Sequence, residues 1–172
     1  MGHRPSDHLF IAIDSQYQKT QHPPLLKESP MRFAEPPAPL LPYAAPASPY
    51  RRLLLFAIRR MAIGGVGDAH AAHAIFAGFG RPYRRPLMLL RALMTDLSRV
   101  ANTTLTVAHC CCPRMTRDEA ILLDSIAEAA RRPLQSHAGL CGLLHVPTCH
   151  DVLASSEAVA TAFVDLGMPL DP

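Results

Sequence analysis

Apolar residues recur every three or four positions from Pro49 onward and show no such period before it. Leu53, Leu54, Ala57, Ile58 and Met61 form one helical stripe. Ser48 offers a side-chain cap, Pro49 suits the first turn, and Gly64-Gly65-Val66-Gly67 ends the run. Asp68 caps a short second helix through about Phe79. Pro86 opens a longer one, with Leu87, Leu90, Met94, Leu97 and Ala101 on its inner face. Asn102 to Ala108 loses the period and is rich in β-branched residues, so it reads as an extended linker or a lone strand. Thr116-Arg117-Asp118-Glu119 is a capping box that starts a helix running to about Arg131. A glycine-containing helix from Leu134 to about His145 and a last one from Thr148 to Leu166 complete the pattern.

The sum is an all-α fold: a compact bundle of five or six short helices over residues 50–168, with a tail at 169–172. Residues 1–49 read as a disordered, Pro-rich arm, because ten of the 17 prolines fall there and both lysines lie there too. Met31 is an alternative start: translation from it would give a 142-residue product and leave the first thirty residues untranslated.

Composition adds three points. Apolar residues make up 49% of the 172 residues, but aromatics only 6%, so the core is aliphatic. The longest wholly apolar run, Leu53 to Ile58, is far short of the ~20 residues needed to span a bilayer. No secretory signal pattern is visible, so a cytoplasmic, reducing setting is expected, where free or metal-bound cysteines are more usual than disulfides.

The net charge of +3 is unevenly spread. Residues 50–100 hold nine arginines against Asp68 and Asp96, net +7, and residues 101–172 are net −4. Arg51, Arg52, Arg59, Arg60, Arg84 and Arg85 therefore mark a basic face for an anionic partner: an acidic protein, nucleic acid or a membrane surface. Few aromatics interleave with them, which disfavours a base-stacking platform.

The chemistry-bearing stretch is residues 109–150. Cys110, Cys111 and Cys112 are consecutive, Cys141 and Cys149 follow, and His109, His137, His145 and His150 are interspersed. Soft sulfur and nitrogen donors suit zinc, copper(I) or an iron–sulfur cluster, or redox chemistry of the thiols themselves. Cys112-Pro113 also admits a haem contact. The candidate metal set is His109, Cys110, Cys111, Cys112, Cys141, His145, Cys149 and His150, with Cys141 and His145 expected to share a helix face. A helix start just downstream and nearby Arg114 and Arg117 would lower the pKa of the triple-cysteine thiols. The bland alternative is that the cysteines are small buried hydrophobes. His70 and His73 share a face of the second helix and are weighed as a lesser pair. No catalytic triad or enzyme signature is legible, and the Gly64–Asp68 run lacks the context of a phosphate loop. The expected function is metal binding or thiol-based sensing, with an Arg-face interaction module as the rival.

Arg51-Arg52-Leu53, Arg59-Arg60-Met61, Asp68-Ala69-His70-Ala71-Ala72, Arg85-Pro86-Leu87 and Cys110-Cys111-Cys112-Pro113-Arg114-Met115-Thr116 resemble a family of short, functionally unassigned bacterial proteins, chiefly alphaproteobacterial. The resemblance runs from Arg51 to Leu166, about two-thirds of the chain. It implies a small intracellular helical protein and carries no activity.

Overall fold

The computed structural model describes the backbone of Ile11–Ile13 and the whole of residues 41–171. Most of the expected Pro-rich arm, Met31 included, lies outside the described residues.

Six α-helices make up the body: α1 (Pro49–Gly64), α2 (Ala69–Phe79), α3 (Arg84–Val100), α4 (Arg117–Glu128), α5 (Pro133–Leu144) and α6 (His150–Asp165). The all-α expectation holds. The helix starts fall where local chemistry puts them. Ser48 accepts from the Arg51 amide, Asp68 from the Ala71 amide, and Thr116 and Glu119 close a reciprocal capping box. Gly65 ends α1 at φ 81°, a conformation that L side chains rarely adopt. One turn of 3₁₀ helix, Arg81–Tyr83, precedes α3, which begins two residues before Pro86.

The core is aliphatic. Leu54, Met61, Ile75, Leu90, Leu93, Leu123, Ile126, Leu140 and Leu144 are fully buried. Phe163 of α6 meets Phe79 of α2 edge-on, their ring centroids 4.8 Å apart. The helix α3 packs along α6, α4 along α5, and α1 along α2.

Two small sheets depart from the expected pattern. β3 (Leu105–Val107) pairs in parallel with β1 (Ile11–Ile13). β2 (Tyr43–Ala44) pairs antiparallel with β4 (Arg114–Met115). The β-branched stretch is thus a strand with a partner, not an isolated one. The folded unit also begins by Leu41, before residue 50. The Arg114 guanidinium donates to the Leu41 and Pro42 carbonyls at 2.6 and 2.8 Å, and the Ala45 amide donates to the Pro113 carbonyl at 3.0 Å.

Candidate metal centre and the cysteine turn

The donors of residues 109–150 separate into two groups. The first joins α5 to the start of α6. His137 and Cys141 lie one helical turn apart on α5, and Cys149 is the residue just before α6. The Cys141 and Cys149 sulfurs are 3.0 Å apart, and Cys141 Sγ is 3.5 Å from His137 Nε2. The Cys149 amide donates to His137 Nε2 at 3.3 Å, which places the ring's own proton on Nδ1. Cys149 is only 3% exposed, while His137 and Cys141 are half-buried. Burial, and then the neighbouring Cys141, push the Cys149 thiol up to about 12. Without a metal Cys149 holds its proton at neutral pH.

His145 and His150 fall outside this group. His145 is the left-handed cap of α5 at φ 54°, where the helix has already ended, so it does not share a helix face with Cys141. His150 stacks its ring on His137, centroids 4.7 Å apart and 18° between planes, so its face and not its nitrogens meets the cluster. His137, in the same stretch but outside the expected ligand set, supplies the nitrogen donor instead. Its i, i+4 spacing to Cys141 was the signal that could have found it.

The second group is a turn ahead of β4. The Cys112 amide donates to the His109 carbonyl at 2.9 Å, closing the turn. Cys110 and Cys111 bring their sulfurs to 3.5 Å, and Cys110 Sγ lies 3.8 Å from His109 Nδ1. Among the described residues Cys112 adds no sulfur to either cluster. Its carbonyl accepts from Arg59 Nη1 at 2.8 Å instead. For Cys111 the geometry does not give the expected lowering of the thiol pKa by a helix start. Thr116 and Glu119 occupy the N-terminus of α4, and the Cys111 thiol is raised, chiefly by its hydrogen bond to Cys110.

The arginines are mostly spoken for. Arg59 is 2% exposed, which removes it from the expected anion-binding face. Its Nε and Nη2 donate to Glu119 at 2.7 and 2.9 Å, and Nη2 also donates to the Arg114 carbonyl at 2.7 Å. Glu119 further accepts from the Ala108 and Thr116 amides. Arg51 is largely buried and pairs with Asp124, and Arg85 pairs with Asp165. Arg60 pairs with Asp68 at 2.8 Å. That guanidinium, more than the Ala71 amide, holds the Asp68 carboxyl below its ordinary range. Asp68 is therefore not open to a His70/His73 metal pair, and His70 Nδ1 contacts Arg60 at 2.9 Å. Arg52 and Arg84 alone of the six are exposed and without an ion pair among the described residues.

The fold and these clusters define a small helical domain with two separate Cys/His donor sets. The chain belongs to the Family of unknown function DUF6628, which matches residues 38–164. That span starts upstream of Arg51 and takes in the Leu41–Ala45 segment clasped by Arg114. No curated protein and no solved structure matches the chain. None of the described helices is long and apolar enough to cross a membrane.

Proposed function

We propose that this is a metal-binding domain whose α5–α6 cluster, His137, Cys141 and Cys149, holds zinc or another thiophilic ion. The carrying observation is convergence: two donors from α5 and one from the residue just before α6 place their ligand atoms within 4.8 Å of one another in a half-buried site. Two thiolates and one neutral imidazole would balance a divalent charge, which suits partial burial. Tetrahedral zinc with ~2.3 Å sulfur bonds needs sulfurs ~3.8 Å apart. The 3.0 Å separation therefore has to open by under one ångström, within reach of a small side-chain rotation. The 3.5 Å distance from His137 Nε2 to Cys141 Sγ already suits the same geometry, and on binding Nε2 would give up the hydrogen bond it accepts from the Cys149 amide. Three protein ligands leave a fourth position for water or a partner's donor.

One observation favours a second reading, a Cys141–Cys149 disulfide. Their sulfurs are about 1 Å from bonding distance. Forming it needs a disulfide-bearing partner as oxidant: the thiolate of Cys141, the more exposed, would attack the partner's disulfide and release one partner thiol, and Cys149 would then displace the second, its proton passing to that leaving thiolate.

Elemental analysis of the full chain, purified without oxygen and without a histidine tag, separates the two. Zinc binding predicts near-stoichiometric metal, lost in Cys141→Ser, Cys149→Ser and His137→Asn and kept in Cys110→Ser. Metal-free protein, or metal indifferent to Cys149→Ser, would overturn it. A metal-free chain two hydrogens lighter, with the loss mapped to the peptides of Cys141 and Cys149, would establish the disulfide instead.

A further inference from the structure

The cysteine turn is a site in its own right, built differently from the α5–α6 cluster. Its backbone is held from both sides while its donor residues stay wholly or partly exposed. On one side the buried Arg59 grips the Cys112 and Arg114 carbonyls. On the other, Arg114 and Pro113 are tied to the Leu41–Ala45 segment. His109 and Cys111 are exposed and Cys110 is half-buried. All three ligand atoms lie within 4.8 Å of one another. A fixed turn presenting open donors binds an ion without refolding, and releases it without unfolding.

The donors of the turn select the kind of ion. Among the described residues no carboxylate joins the cluster, and Asp68 is already committed to Arg60 and to the cap of α2. Two neighbouring thiolates and one imidazole make a soft donor set of low coordination number. Among biological ions, soft thiolate ligation with low coordination number describes copper(I).

We propose that His109, Cys110 and Cys111 form a solvent-open, low-coordinate site for copper(I), independent of the α5–α6 centre. Binding is an exchange without redox change: one copper(I) enters and the two thiols release their two protons to solvent. The ion then sits between the two sulfurs in place of the hydrogen bond that joins Cys110 and Cys111 at 3.5 Å. Openness to solvent suits hand-over of the ion to another thiol-bearing protein by ligand exchange.

The test is anaerobic titration of the full chain with copper(I) against bathocuproine disulfonate, with folding checked by circular dichroism. One equivalent should bind in the wild type and equally in the Cys141→Ser/Cys149→Ser double variant. Cys110→Ser and Cys111→Ser should each weaken it by more than about tenfold, because each removes a soft ligand. Zinc at equal concentration should not displace the copper. Copper that persists in a Cys110→Ser/Cys111→Ser variant, disappears only with Cys141 and Cys149, or yields to zinc would overturn the assignment. The Cys141/Cys149 background keeps this outcome separate from that of the zinc site.

Discussion

Arg59 and Glu119 form a buried ion pair, side chains 2% and 1% exposed, on which the cysteine turn is mounted. Removing one partner of such a pair leaves an uncompensated buried charge, which costs about 3–5 kcal/mol. Glu119→Ala should therefore lower the free energy of unfolding by that amount in urea melts. Replacing a buried pair with apolar residues is often nearly neutral. Here Arg59→Met/Glu119→Leu should not recover stability, because the Ala108 and Thr116 amides and the Cys112 and Arg114 carbonyls lose their partners too. A double variant as stable as wild type would show that the carboxylate's backbone contacts contribute little. The sequence places Arg59 beside Arg60 in a basic pair and so suggests a charged face. What buries Arg59 is a carboxylate sixty residues away, invisible to any local pattern.

The helices were legible because their signals are local. Ser48, Asp68 and the Thr116–Glu119 box sit within four residues of the amides they cap, and each acts where the pattern says. The strands were not, because two- and three-residue ladders take their meaning from distant partners: Tyr43 faces Met115, and Ile11 faces Leu105. Prolines dominate the composition of the N-terminal stretch and masked its pairing segments. The two glycines within α5 test how tightly the elements pack. A Cβ at Gly142 would meet nothing within 4 Å, so Gly142→Ala should gain about 0.5–1 kcal/mol from helix propensity alone. A Cβ at Gly139 would stand 2.8 Å from Ser125 Oγ across the α4–α5 interface. Ser125 is buried and its carbonyl accepts from Ser136, so it has little room to move. Gly139→Ala should show no gain or a loss. Thermal melts of the two variants compare them directly, and equal stabilisation would mean that α4 and α5 yield easily.

At the scale of the whole molecule, the candidate sites were legible as a stretch of donors but not as a grouping. The sequence shows nine Cys and His residues between 109 and 150, and only folding divides them into the turn at 109–111 and the α5–α6 cluster. The same distance effect decides where the folded unit starts. Residues 41–48 supply two carbonyls to Arg114, the amide that meets the Pro113 carbonyl, half of the β2–β4 ladder and the cap of α1. At about 1 kcal/mol net per hydrogen bond, their removal should cost about 2–4 kcal/mol. A chain beginning at residue 38, where the family match begins, should unfold like the full chain unless the β1–β3 pairing adds measurably to stability. A chain beginning at residue 50 should melt lower. Its Cys110 and Cys111 should also react faster with a thiol reagent, because Arg114 no longer fixes the far side of the turn. Loss of stability without faster labelling would separate the segment's contribution to the fold from any hold on the turn. Faster labelling in the shorter chain alone would tie the Leu41–Ala45 segment directly to the geometry of the cysteine turn.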